Sequence, residues 1–489
     1  MANRRSFKTD VSFLEKISIG AIGTRRVYED LIRQGHQPFE LERGSMSYKI
    51  WKAIKIKRIR VPDLLCVDCG RRIESRAKTK LEITMSHSFS DPERAWDHGL
   101  EDNDLVALVV CQKSGSRPID WTADELVQYI VVRDLRTAQK ANLTKSERPK
   151  GAQEGFEARI TWPSCSASAS GVITDIGNDR LSYRKSQSNR KQTLKLLRGG
   201  IRFSPIVRVG DTVTENQIIA SVIPIYLNIP CSHGMTEETY ITNLTSSSMS
   251  DRYSAAKALS HFRTESSIRA LVNKMSDTKD HIYVRLEAAA SLAMLGDQQG
   301  LVFIKDRLSD EILPNRLEAV IVLGEIGNNG AIRLLVETLM DGLQDSEIRA
   351  GAAWALGEIK DKSTINTLLA SFLLVEENIR IEAARALAKL AIEHTPELIN
   401  EFLTVDPNIR PGLAWAISKA EKFTLDQMQT ALVDENARTW VSYMLGTQDP
   451  RKFVGEIEGL HKKDPEVYFA VSVLWQIFNS WIFGLEEYG

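Results

Sequence analysis

The chain reads as a multidomain protein: an α/β mixed sheet first, a small all-β region next, and a C-terminal α-solenoid. Three observations predict this order. Helix and strand signals alternate over residues 1–140, short β-type runs broken by Gly, Asn and Asp turns fill 156–235, and from 250 to 489 an arginine returns every 28 to 33 residues. A length of 489 residues is itself too great for one ordinary core.

In the N-terminal region, Thr24–Gln34 (TRRVYEDLIRQ) is an amphipathic helix stopped by Gly35. A short strand is expected at Phe39–Arg43 and a brief helix at Tyr48–Ile54. Ile56–Val67 alternates basic and apolar residues and passes through Pro62-Asp63. It returns as Arg71–Lys78 after a turn at Asp68-Cys69-Gly70. Asp91-Pro92-Glu93 opens a further helix, Leu105–Cys111 (LVALVVC) is a fully buried strand, and Leu126–Lys140 adds a strand with a charged tail. The polar stretch Ala138–Gly155 is the first expected linker.

The middle region has β-type runs at Phe156–Thr161, Gly171–Ile176, Val207–Val209 and Ile218–Pro224. Ser204–Pro224 (SPIVRVGDTVTENQIIASVIP) resembles the closing hairpin of a barrel-sandwich hybrid, the fold of biotinyl and lipoyl carriers. The modifiable lysine turn of those carriers is missing, so the resemblance implies shape alone. Ser182–Leu197 is expected to be a mobile basic loop, and Thr242–Ser250 (TNLTSSSMS) a second linker.

The repeats are marked by Arg252, Arg285, Arg316, Arg349, Arg380, Arg410 and Arg438, most of them with an acid a few residues ahead: Asp280, Asp310, Asp345, Glu377, Asp406 or Asp434. Each arginine begins a similar helix, as in RLEAAASLAMLGD, RLEAVIVLGEIGN and RAGAAWALGEIKD, with small residues three to five positions on. This pattern resembles the short HEAT-like repeats of phycobilisome lyase subunits. Such repeats imply a scaffold for protein partners. Because both charges recur in step, each Arg is expected to pair with its upstream acid across neighbouring repeats rather than with phosphate. Trp354, Trp415 and Trp440 are expected to pack rather than to stack on bases.

A net charge of −1 hides local asymmetry. Arg43–Lys80 holds twelve Lys/Arg against three Asp/Glu, and Arg180–Arg208 holds nine against none. Five scattered cysteines with no secretory leader point to a reducing, cytoplasmic compartment. Val467–Leu485 is uncharged over nineteen residues, but Ser472, Gln476, Asn479 and Ser480 share one helical face. A capping helix packed on the solenoid, without membrane contact, is the expectation; a tail anchor is the alternative.

The order helix, strand, Pro62-Asp63, then Glu74 on the returning strand resembles the PD-(D/E)xK nuclease superfamily. That resemblance implies an αβββαβ core, Asp63 and Glu74 as ligands of Mg²⁺ or Mn²⁺, and Glu29 on the first helix as a further ligand. The family's lysine two residues after Glu74 is Arg76 here, which hardly gives up a proton. Lys78 shares the strand face of Glu74 and Arg76 and is the candidate substitute. Lys49, Lys52, Lys55, Lys57, Arg58 and Arg60 form a basic setting for nucleic acid. Arg184, Lys185, Arg190, Lys191, Lys195 and Arg198 form a second patch.

Cys66-x-x-Cys69-Gly70 has the form of half a zinc knuckle. No second cysteine pair exists, and only Cys111, His87 or His98 offers to complete it, so two ordinary thiols in a tight turn are expected rather than Zn²⁺. No Gly-rich nucleotide loop is present. The resulting expectation is a metal-dependent endonuclease, of DNA rather than RNA, with a HEAT-like arm for partner or DNA docking. That plan would suit prokaryotic restriction or phage defence. The alternative is a catalytically inactive nuclease-like scaffold or adaptor.

Overall fold

A computed structural model of the chain describes residues 10–46, 59–117, 119–148, 157–420 and 422–484. They fall into two compact units, divided after Ala270.

The first unit opens with helix α1 (Asp10–Arg33), which starts well ahead of the predicted Thr24 and ends before Gly35 at a φ of +83°. Only glycine adopts that backbone without strain, which is why the helix stops there. Val27 and Leu31 of α1 are fully buried against a mixed sheet. Its strands are β1 (Pro38–Glu40), β2 (Leu64–Cys66), β3 (Arg72–Lys78), β5 (Leu105–Lys113) and β6 (Trp121–Val131), in spatial order β1-β2-β3-β5-β6. β3 and β5 run parallel and the other neighbours antiparallel. Gly23 lets α1 lie directly on β3, since a Cβ there would stand 2.5 Å from that of Ala77.

Between β3 and β5 the expected helix is absent. Asp91 caps Glu93, but the turn ends after Pro92–Arg94. The chain must instead bury Trp96 against Trp162, with ring centroids 5.1 Å apart, and turn at Gly99, which touches the Arg60 backbone. Strand β4 (Ile83–His87) also leaves the main sheet. It pairs with β8 (Ala158–Trp162), and β8 in turn with β7 (Lys145–Glu147). The crossover therefore departs from αβββαβ. The charged tail after β6 is α2 (Val132–Lys140), because Val132, Leu135 and Ala138 make a buried helical stripe. The first expected linker thus contains the end of α2 and the whole of β7.

The middle region adds β9 (Ser164–Ser166), β10 (Gly171–Ile176), β11 (Arg180–Lys185), β12 (Lys191–Lys195), β13 (Leu197–Arg198), β14 (Ile201–Arg202), β15 (Ser204–Pro205), β16 (Thr212–Val213) and β17 (Ile218–Ser221). They form small open sheets, β12-β11-β10-β16 and β15-β17-β9, with a β13-β14 ribbon. No barrel closes among the described residues, and Val207–Val209 is a turn. The expected mobile loop at 182–197 is the β11–β12 hairpin, pinned by Leu181 and Tyr183 buried in a core with Ile173, Val213 and Ile219. Ile218 reaches the core shared by Val106, Leu108, Ile130 and Trp162, so both β regions belong to one unit.

Helices α3 (Glu237–Asn243), α4 (Met249–Ala258) and α5 (Glu265–Ser276) follow. The polar run 242–250 is structured: Ser248 caps α4, and Ser250 with Asp251 binds the buried guanidinium of Arg72 at 3.0 and 2.7 Å. Arg72 also makes a two-pronged ion pair with Asp104 at 2.8 and 2.7 Å.

The second unit is a stack of helices: α6 (Ile282–Met294), α7 (Gln298–Arg307), α8 (Leu313–Ile326), α9 (Asn329–Met340), α10 (Ser346–Ile359), α11 (Ile365–Ala370), α12 (Glu377–Thr404), α13 (Arg410–Ser418), α14 (Glu435–Gly446), α15 (Pro450–Lys463) and α16 (Pro465–Gly484). α6, α8, α10, α12, α13 and α14 pack in succession, each against the next. The arginines act differently from expectation. Nε of Arg285, Arg349 and Arg438 donates to a carbonyl at the end of the preceding helical segment, Met275 at 2.9, Leu339 at 2.9 and Leu432 at 2.7 Å. The other arm reaches forward, Arg349 to Glu376 at 2.8 Å and Arg410 to Asp434 at 3.2 Å. Of the upstream acids, Asp345 caps α10, and Asp434 caps α14 while also pairing with Arg410. Trp354 and Trp415 are half-buried beneath Lys389 and Lys419. α16 packs on α14, with Phe478 edge-on to Tyr443 at 5.7 Å. No described helix is long and apolar enough to cross a membrane.

Candidate active site: a carboxylate pair behind a cationic cleft

Asp63 immediately precedes β2. The β2–β3 register pairs Leu64 with Ile73, and continuing it by one residue sets Asp63 opposite Glu74. Asp63 Oδ2 accepts from the backbone N–H of Ser75 at 2.7 Å, which fixes its rotamer. Asp63 is buried, and the Glu74 side chain keeps 17% of its exposure. Burial drives the Asp63 carboxyl well above the usual carboxylate range, and the charges of Glu74 and Glu42 push it further. Glu74 is raised for the same first reason, with Arg76 opposing the shift.

Glu42 was not foreseen. It follows β1, and the backbone N–H groups of Leu41 and Glu42 both donate to the carbonyl of Asp63, at 2.8 and 3.2 Å. That pairing draws a third carboxylate toward the first two. Glu29, expected here, lies elsewhere. Its neighbour in the ion pair is Arg26 at 3.5 Å, and Arg26 binds the carbonyl of Glu125 on β6, the opposite edge strand from β1.

Beside the carboxylates lies a cleft of about 430 Å³ lined by Lys16, Arg60, Arg76, Lys78 and Arg159, with Thr84 at its wall. Arg76 belongs to both features: NH2 pairs with Glu74 Oε1 at 2.9 Å, while its Nε is buried without a hydrogen-bond partner. Lys78 donates to the carbonyl and hydroxyl of Thr84 at 2.8 and 3.2 Å. It lies four residues beyond Glu74, roughly 13 Å along an extended strand, and so faces the cleft rather than the carboxylates. Burial, then Arg76 and Arg159, lowers its ammonium to about 8. Burial and Arg76 likewise lower Arg60. Lys16 from α1 and Arg159 from β8 join Arg76 and Lys78 only through the fold.

Lys49, Lys52, Lys55, Lys57 and Arg58 lie outside the described residues. The second basic patch is the β11–β12 hairpin, where Arg184 stands directly opposite Lys191 and Arg180 opposite Lys195. Like charges facing each other across a ladder are unfavourable alone. Lys185 and Arg190 flank its turn, and Arg198 follows over the ring of Phe203 at 5.8 Å.

Oxygen donors of Asp63, Glu74 and Glu42 are of the hard type that Mg²⁺ or Mn²⁺ prefers, and two carboxylates held above their usual range are what a divalent cation would relieve. The residues present fit such an ion. Among the described residues, the ligand atoms already drawn within 4.8 Å of one another are those of His36, Cys66, Cys69 and Cys231 and those of Asp68, Cys231 and His233, not this trio.

The helical stack of the second unit is of the HEAT-repeat class: a model of HEAT repeats matches residues 308–388. Human deoxyhypusine hydroxylase is 26% identical over 184 residues, 37% of this chain and 58% of that protein, so under two thirds of the relative's length is spanned. Among solved structures, the CpcE–CpcF complex of phycocyanin lyase from Nostoc sp. PCC7120 is 20% identical, covering 51% of this chain and 98% of that one at a TM-score of 0.27. Human deoxyhypusine hydroxylase with glycerol is 18% identical over 39% of this chain and 87% of its own, at a TM-score of 0.18.

Proposed function

We propose that the first unit is a metal-dependent nuclease of the PD-(D/E)xK kind, acting on DNA, and that the HEAT-like array docks protein partners. The observation that carries this reading is the pair of buried Asp63 and half-buried Glu74 set behind a cleft whose charged lining is entirely cationic. Such a lining selects a phosphodiester backbone over a neutral or cationic ligand. Asp63 and Glu74 would hold the Mg²⁺ or Mn²⁺, which would supply Lewis acidity toward a phosphoryl oxygen. Arg76 and Arg60, which both line the cleft, hold the non-bridging oxygens. Lys78 and Arg159 hold a phosphate farther along the strand, and the β11–β12 hairpin adds further backbone contacts.

The test is plasmid nicking by the full chain with Mg²⁺ or Mn²⁺. Asp63→Ala and Glu74→Ala are expected to abolish nicking and retain DNA binding, whereas Arg76→Ala weakens both. A chain that never cleaves DNA or RNA with either ion, alone or with partners, has no nuclease function. A binding scaffold without cleavage is the second reading, favoured by the Arg76–Glu74 ion pair at 2.9 Å, which competes with a cation for the same carboxylate. It predicts DNA binding that metal leaves unchanged.

A further inference from the structure

The β2–β3 turn carries a feature the carboxylate site does not use. Cys66 ends β2 and Cys69 lies in the turn. His36 follows α1, and Cys231 lies in the connection after β17. One ligand atom from each of these four residues lies within 4.8 Å of all the others. Cys66 Sγ is 3.9 Å from Cys231 Sγ, and Cys69 Sγ is 3.5 Å from His36 Nδ1. A tetrahedral zinc with Zn–S near ~2.3 Å and Zn–N near ~2.05 Å spaces its ligands about 3.8 Å for S···S and about 3.6 Å for S···N. The two edges observed match that tetrahedron. They are far longer than the ~2.05 Å of a disulfide.

The outer contacts agree. His36 Nε2 lies 2.5 Å from the backbone carbonyl of Ile229, so it carries the proton and leaves the Nδ1 lone pair directed at the sulfurs. His36 and Cys66 are buried and Cys69 and Cys231 half-buried, and the four protein atoms complete a tetrahedral set that leaves no position for water. Gly70, at a φ of +70°, frees the turn to bring both cysteines to one side. A donor set of three sulfurs and one nitrogen suits zinc and rejects Mg²⁺ or Ca²⁺. His233 stands just outside, exposed and 3.4 Å from Asp68.

We infer that His36, Cys66, Cys69 and Cys231 form a closed structural Zn²⁺ site. It ties α1, the β2–β3 turn and the chain leading to α3 to one ion, and so anchors the strands that carry Asp63 and Glu74. The assignment does not depend on nuclease activity.

The experiment is metal analysis of the full chain purified without added metal, with thiol counting. One zinc per chain is expected, with the three ligand cysteines, Cys66, Cys69 and Cys231, unreactive toward thiol reagents until the protein is denatured. Cobalt exchanged into the wild-type chain should show the sulfur-to-metal charge-transfer band and strong visible bands of a tetrahedral thiolate site. Cys231→Ser should lose at least tenfold in zinc affinity, and His233→Ala should keep wild-type zinc. Zinc-free protein with Cys66, Cys69 and Cys231 freely reactive, or with Cys66 joined to Cys231 as a disulfide, overturns the assignment. The cobalt spectrum of the wild-type chain decides the matter even if Cys231→Ser fails to fold.

Discussion

Asp63 binds its proton more tightly in the folded chain than in the unfolded one, where its ordinary value is 3.8. Folded protein therefore takes up protons as pH falls toward that value, and stability declines as pH rises from it through the raised folded pKa. Asp63→Asn keeps an oxygen for the Ser75 N–H and removes the buried charge. It should stabilise the chain at pH 7.5 by about 1–3 kcal/mol in urea denaturation and flatten the pH dependence. Added Mg²⁺ should stabilise the wild type and leave Asp63→Asn unaffected. An Asp63→Asn chain less stable than wild type at that pH contradicts the account. That Asp63 and Glu74 stand opposite each other was legible because both lie within one hairpin, where alternation fixes the face. Glu42 was not, since the β1–β2 pairing that delivers it joins positions far apart in sequence. Lys78 shows the reverse limit: alternation gave the correct face but carried no information on reach.

At the scale of elements, the solenoid is held by small residues and by arginine. A Cβ on Gly324 would lie 3.0 Å from that of Ala355, and one on Gly357 only 2.6 Å from the Cα of Ala386. Alanine gains up to ~1 kcal/mol of helix propensity over glycine. Gly324→Ala should therefore be close to neutral, because a methyl contact can relax. Gly357→Ala should cost about 1–3 kcal/mol, because backbone must move. Thermal denaturation of the two variants measures the difference, and equal midpoints would remove the packing argument. The period of the repeat was plain in the arginines and small residues, yet their partners were not. A guanidinium that donates to helix-end carbonyls leaves no mark of its own in the sequence, whereas a recurring acid invites a pairing that the capping role in fact occupies. The absent helix after Asp91 has a similar cause: good capping residues start a turn, but burial of Trp96 ends it.

At the scale of the whole molecule, the HEAT-like unit carries exposed aliphatic residues in the turns ahead of its arginines. Ile312 is 58% exposed, Leu343 97%, Val375 89% and Val433 81%. Side chains so open contribute little to folding, so their recurrence fits a docking edge for protein. Leu343→Glu with Val375→Glu should leave the unfolding free energy within about 0.5 kcal/mol of wild type in urea denaturation. A larger loss would show that these residues pack. Two units were visible to sequence reading only in part. The solenoid announces itself by periodicity, but the shared core of Val106, Trp162 and Ile218 joins β regions that composition separates.

The departure of β4 from the main sheet has a consequence for what the cleft admits. Arg76 and Lys78 stand on β3, Thr84 on β4 and Arg159 on β8, so the two walls belong to different sheets. Residues 79–82 join the two walls, and the Lys78–Thr84 hydrogen bonds span the gap between them. Substitutions confined to that short connection would change the width of the gap without altering Arg76, Lys78 or Arg159.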